Sequence, residues 1–111
     1  MIKLVDTHAH LYLNQFGDDR DQAINRAAEI VSHIFLPNID LQSIDGMNAL
    51  VDSHPGICFP MMGLHPCSVD REWRKQATTM ETMLSQGKYS GIGETGLDYF
   101  WDKTHIREQQ E

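Results

Sequence analysis

Apolar residues along this chain alternate between two arrangements: short unbroken runs, and stripes spaced by three and four positions. The first run, residues 2–7, reads as a strand followed by an irregular loop over 11–17. Asp18 or Asp19 is placed to cap the next helix, whose stripe is Ala23, Ile24, Ala27, Ala28 and Val31. Ile34, Phe35 and Leu36 form a second run halted at Pro37, the pattern of a strand buried on both faces. Asp40 is placed to cap a second helix carrying Leu41, Ile44, Met47, Leu50 and Val51, which ends before His54-Pro55-Gly56. The third run, 57–64, contains Pro60, which removes a ladder donor and so predicts a bulge or an early break. Asp70 precedes a third helix with Trp73, Ala77, Met80 and Leu84 on one face and Gly87 as its stop. A fourth run, 89–94, leads through a loop over 95–103 into the first turns of a helix from Thr104.

Strand and helix strictly alternate, so the strands are expected to be parallel and joined by right-handed crossovers. Four units in 111 residues give about 28 residues each, close to the ~31 per unit of a ~250-residue eight-stranded barrel. The fold class predicted is α/β, a parallel (βα)4 portion of a TIM (β/α)8 barrel. Residues 1–111 are expected to form a single domain, the N-terminal half of such a barrel, stopping within the helix after strand four. A doubly wound open sheet fits less well, because its glycine-rich phosphate loop after strand one is replaced by His8-Ala9-His10.

Composition narrows the function classes. No run approaches the ~20 apolar residues of a membrane span, and no signal-peptide core precedes the first strand, so a cytoplasmic protein without membrane partners is expected. Cys58 and Cys67 form no Cys-x-x-Cys pair, which predicts reduced thiols rather than a disulfide or zinc framework. The net charge of -7 argues against a broad basic face for nucleic acid. It leaves open a site that meets phosphate through bound cations, since the cation supplies the positive charge.

In parallel barrels the chemistry collects where strands end. Those positions here hold His8 and His10 after strand one, Asn38 and Asp40 after strand two, His65 after strand three and Glu94 after strand four. Two imidazoles one residue apart on an extended backbone project to the same side, which suits a metal pair, and Asp6 just upstream is placed to orient a ligand. Glu94 lies in Gly91-Ile92-Gly93-Glu94-Thr95-Gly96-Leu97-Asp98-Tyr99, where glycines permit close backbone approach and a carboxylate with two oxygens can bridge two cations. Asp98 and Tyr99 are candidates for supporting or substrate-contacting groups. His65, in Gly63-Leu64-His65-Pro66, is a candidate for phosphate contact or metal ligation. Cys67 beside it lacks an evident base and is not expected to act as a nucleophile.

Together, Asp6-Thr7-His8-Ala9-His10-Leu11, Gly63-Leu64-His65-Pro66 and Gly91 to Tyr99, with Arg107-Glu108-Gln109-Gln110 at the tail, resemble the TatD family of metal-dependent deoxyribonucleases in the amidohydrolase superfamily. The resemblance implies a (β/α)8 barrel with one or two divalent ions, Zn, Mn or Mg. It also implies that His8 and His10 hold one ion, that Glu94 bridges to a second, and that His65 lies near the substrate phosphate. The implied reaction is hydrolysis of DNA phosphodiester bonds by a metal-activated water. The family's further metal-binding histidines and aspartate come from later strands, so the 111-residue chain is expected to bind metal weakly, to have little nuclease activity and to self-associate. Two other readings remain open: an amidohydrolase acting on a small amide, lactone or ester, and an inactive truncated scaffold. Glu94 in its glycine setting favours phosphodiester chemistry, because many small-molecule amidohydrolases carry a modified lysine after strand four.

Overall fold

Three parallel strands, β1 (Leu4–Asp6), β2 (Val31–Pro37) and β3 (Cys58–Met61), lie in the order β1-β2-β3 in the computed structural model, which describes residues 1–111. Helices α1 (Arg20–Ala28), α2 (Gln42–Ser53), α3 (Trp73–Leu84) and α4 (Ile106–Gln110) follow the strands, and 3-10 turns cover Asn14–Asp19 and Pro66–Ser68. This is the parallel β/α layering of one part of a TIM barrel. The helix stripes read from the sequence face the sheet. Ile24, Met47 and Leu50 pack with Tyr12, Ile34, Leu36 and Cys58, while Ile44 of α2 and Met80 of α3 close a second cluster around Met62.

Several boundaries differ from the pattern. Val31 belongs to β2, not to the helix before it, because the chain is already laddered there: the Leu4 N–H donates to the Ile30 carbonyl at 2.9 Å. Asp19 has helical backbone angles rather than the extended angles of a capping residue, so its carboxylate pairs with Arg26 at 3.3 Å instead of capping α1. Asp40, by contrast, accepts the Ser43 N–H at 2.8 Å while the Ser43 hydroxyl accepts the N–H groups of Ile39 and Asp40, a reciprocal cap.

Pro60 sits inside β3, and its placement explains why it is tolerated. Successive residues of a strand aim their backbone polar groups to opposite edges. The Ile57 and Met61 carbonyls reach β2, whereas the Pro60 carbonyl accepts the Ser90 N–H at 2.7 Å on the other side. The donor that Pro60 lacks therefore faces the fourth segment and not β2. That segment is no full strand: a single bridge joins Met62 to Ile92, held by Met62 N–H to Gly91 O at 3.1 Å and Gly93 N–H to Met62 O at 2.8 Å. Gly91, Gly93 and Gly96 leave it few side chains to pack, and the positive φ of 126° at Gly96 turns the chain out of the ladder.

Burial is one-sided. Ile34, Leu36 and Cys58 are buried under the helices, but the opposite face carries a half-open stack of His33, Phe35 and Phe59, with the His33 and Phe59 rings 5.0 Å apart. The expectation of strands buried on both faces holds for the helix side alone, because nothing in these 111 residues covers the face that a closed barrel turns inward.

Asn38, fully buried just past β2, ties the sheet together. Its Oδ1 accepts the Gly63 N–H at 2.7 Å and its Nδ2 donates to the Asp40 carbonyl at 3.0 Å. Asn38→Ala leaves a buried N–H without a partner and is expected to cost about 2 kcal/mol, measured as a lower urea midpoint at unchanged m-value.

Candidate metal centre

The backbone hydrogen bonds past β1 place the two imidazoles. Ala9 N–H donates to the Phe35 carbonyl at 3.1 Å, continuing the extended geometry beyond Asp6, so His8 and His10 project to the same side. Asp6 acts on the backbone: its Oδ1 accepts the His8 N–H at 3.1 Å and touches no imidazole nitrogen. Glu94 arrives from the end of the bridged fourth segment. His8 Nε2 and His10 Nε2 lie 3.1 Å apart, and Glu94 Oε2 is 2.9 Å from the first and 3.1 Å from the second.

The proton positions follow from the surroundings. The Tyr12 hydroxyl donates to the Pro37 carbonyl at 2.6 Å, which leaves its oxygen lone pair facing His10 Nδ1 at 2.8 Å; Pro37 O is itself 3.0 Å from that nitrogen. His10 therefore carries its proton on Nδ1 and turns a bare Nε2 lone pair towards Glu94. A lone pair facing a carboxylate oxygen is unfavourable unless a cation lies between them. In this chain a proton on His8 Nε2, donated to Glu94 Oε2, relieves part of that repulsion. The donor set fits a divalent ion: two imidazole nitrogens and one carboxylate oxygen, all within 4.8 Å of one another, with one imidazole fixed from behind by a carbonyl.

His65 occupies the other side of Glu94. Its Nδ1 accepts the Cys67 N–H at 3.0 Å, so the ring proton is on Nε2, which lies 3.1 Å from Glu94 Oε1. The single N–H of His65 is thus directed at the carboxylate. Burial pushes the Glu94 carboxyl up, but His65 and the hydrogen-bonding His8 outweigh it and hold the group below the ordinary carboxylate value. The Cys67 thiol is raised by burial and by the Asp98 carboxylate, which removes the thiolate a nucleophile needs.

Asp98 and Tyr99 make no hydrogen bond to the imidazoles or to Glu94. Asp98 Oδ1 accepts the N–H groups of Phe100 and Trp101 at 2.8 Å each, and these amides hold its carboxyl below the usual range. The Tyr99 hydroxyl accepts from Gln110 Nε2 at 2.9 Å. Sequence reasoning missed Tyr12, the Pro37 carbonyl and Arg20, whose guanidinium donates to the carbonyls of Leu11, Tyr12 and Leu13 and fixes the loop carrying Tyr12. Only Tyr12 left a trace, as an aromatic two residues beyond His10.

Two histidines and a glutamate converging from the ends of the first and fourth segments of a parallel β/α barrel portion define a class of barrel proteins with a potential metal-ligand set at the strand ends. Residues 5–111 match the family model of TatD related DNases, and the chain belongs to that family. It is 32% identical over 102 residues to the uncharacterized metal-dependent hydrolase YabD of Bacillus subtilis, an alignment covering 91% of this chain and 40% of that protein. It is 27% identical over 97 residues to the 3'-5' ssDNA/RNA exonuclease TatD of Pantoea sp., covering 86% of this chain and 37% of that protein. The crystal structure of YjjV, a TatD homolog from Escherichia coli K12, superposes with a TM-score of 0.83 at 26% identity, covering 96% of this chain and 42% of that one. The chain spans about two fifths of the length of these relatives. No helix is long and apolar enough to cross a membrane.

Proposed function

We propose that residues 1–111 form the N-terminal half of a metal-dependent nuclease barrel whose whole protein hydrolyses phosphodiester bonds, with DNA as substrate. The observation that carries this reading is the convergence of His8 Nε2, His10 Nε2 and Glu94 Oε2 at one barrel end. The names of the relatives, a metal-dependent hydrolase and 3'-5' ssDNA/RNA exonucleases, support the substrate class. His8, His10 and Glu94 are the ligands; mixed nitrogen and oxygen donors suit Zn²⁺ or Mn²⁺ better than Mg²⁺. When bound, one or two such ions lower the pKa of water and offset charge on the phosphoryl oxygens.

The chain's own groups prepare that site. Tyr12 and Pro37 O fix the His10 tautomer, and Asp6 sets the turn that aims His8. His65 steadies Glu94 through Oε1, and its N–H becomes available to a substrate phosphate when that contact is exchanged. The further ligands that the family resemblance implies come from later strands than the four segments present, and the three donors here are partly open to solvent, so the 111-residue chain binds metal weakly and turns over little. Purified residues 1–111 with Mn²⁺ or Mg²⁺ are expected to leave single- and double-stranded DNA essentially uncut. Turnover comparable to a full-length relative would overturn the half-site reading, and cleavage of a lactone or cyclic amide instead of DNA would favour the small-molecule amidohydrolase.

We also propose self-association. Leu4 and Val5 of β1 are exposed on an unpaired sheet edge, alongside the half-open stack of His33, Phe35 and Phe59. Sedimentation velocity is expected to show a mass rising with protein concentration; a monomer at every concentration would sink this proposal.

A further inference from the structure

We infer that the loop beyond Glu94 is a base-stacking platform for single-stranded nucleic acid, on which Phe100 and Trp101 receive bases while Arg107 of α4, with Arg71 and Arg74, receives phosphates. This rests on the nucleic-acid reading above and names how that site holds its substrate. Phe100 is 78% and Trp101 80% exposed, although both are large apolar rings. Their exposure is built in rather than a loose loop tip. Asp98 Oδ1 holds both backbone amides, Gln109 accepts the Asp98 N–H at 2.8 Å and donates to the carbonyls of Asp98 and Asp102, and Gln110 holds the Tyr99 hydroxyl. The two rings meet edge to face at 4.9 Å and 87°, an arrangement that leaves a ring face free to take a flat partner.

Position and charge favour a nucleic-acid strand. Phe100 and Trp101 follow Glu94 by six and seven residues, in the loop into which the fourth segment runs from that carboxylate. Helix α4, which anchors the loop through Gln109 and Gln110, also contributes Arg107, Glu108 and the adjoining Glu111 to a cleft of about 300 Å³ lined from the other side by Arg71, Trp73 and Arg74, three guanidinium groups against two carboxylates. Three of the nine Lys and Arg residues of a chain with net charge -7 are thus gathered in one cleft at the helix that anchors the aromatic loop. Arg74 and Arg107 share Glu111, and Arg71 takes no part in that pairing. Aromatic faces with flanking guanidinium groups bind unpaired bases without regard to sequence, and a duplex, whose bases are already stacked, cannot use such a platform.

The test is a fluorescence titration of residues 1–111 with a twelve-nucleotide oligothymidylate in EDTA, using the unaltered chain and the Trp101→Ala, Trp101→Phe and Phe100→Ala variants. The oligothymidylate is expected to quench tryptophan emission and to bind more tightly than the matching duplex or inorganic polyphosphate. Trp101→Ala is expected to weaken binding roughly tenfold or more, and Trp101→Phe by only a few-fold. Equal affinity of Trp101→Ala and the unaltered chain, no oligothymidylate binding at all, or polyphosphate competing as well as the oligonucleotide would each overturn the platform. So would emission that responds only to protein concentration, which would place Trp101 in a contact between copies. EDTA separates this result from the metal reading. Trp101-dependent binding with no cation binding by the chain would sink the nuclease site alone, and cation binding with an indifferent Trp101 would sink the platform alone.

Discussion

Glu94→Gln is expected to weaken Mn²⁺ binding by about a hundredfold or more, to the limit of calorimetric detection, while leaving the fold intact. Removing even the hydrogen-bond partner of a metal ligand costs roughly 10- to 100-fold in affinity, and the ligand that carries the charge costs at least the upper end of that range. Glutamine keeps the shape of glutamate, so the imidazoles stay in place but lose the anion they converge on. The same substitution has a signature without metal. The folded carboxyl lies below its ordinary value of 4.5, so its contribution to stability is full above that pH and is lost as the pH falls through the lower folded value. Glu94→Gln is expected to remove this part of the acid sensitivity, seen as convergence of the two melting temperatures at the acid end. Unchanged Mn²⁺ affinity would remove Glu94 from the ligand set.

The second large effect is structural and reaches the site through the backbone. A Cβ on Gly63 would lie 2.9 Å from the Glu94 carbonyl oxygen, 3.2 Å from the Glu94 nitrogen and 3.0 Å from Thr95 Cγ2. Two of these neighbours are backbone atoms and cannot swing aside. Gly63→Ala is therefore expected to destabilise the chain by about 1–3 kcal/mol and to push Glu94 away from His8 and His10, with metal affinity falling roughly tenfold. Gly91→Ala is the control, since nothing lies within 4 Å of its added Cβ. Urea denaturation and calorimetry on both variants check the pair; loss of stability with full metal affinity would show that Glu94 is not placed by this contact.

The sequence made some of this legible for identifiable reasons. The stripe of α2 was readable because Ile44, Met47 and Leu50 all face one apolar layer, and helical spacing is what burial on one face selects. Val31 was misassigned because its spacing from Ala27 and Ala28 mimics another helical turn, and only the Leu4 to Ile30 hydrogen bond, a long-range contact, reveals the strand. The fourth strand was overread because an apolar run containing Gly91 and Gly93 carries the pattern of a strand without side chains to extend one. At the site, the convergence of His8, His10 and Glu94 was legible because strand ends of a parallel barrel lie together. Tyr12 and Pro37 O were not, because their part is to set a proton on His10, and a tautomer leaves no mark on residue spacing. The direction of the His65 N–H towards Glu94 was hidden likewise, since it depends on the Cys67 amide occupying the other ring nitrogen.

The central claim, that His8 and His10 converge with Glu94 on one cation, is tested most directly by pulsed electron paramagnetic resonance of Mn²⁺ added to residues 1–111. Couplings from two imidazole nitrogens are predicted, one disappearing in His8→Ala and the other in His10→Ala. A bound Mn²⁺ spectrum without nitrogen coupling, or couplings that survive the double substitution, would contradict it.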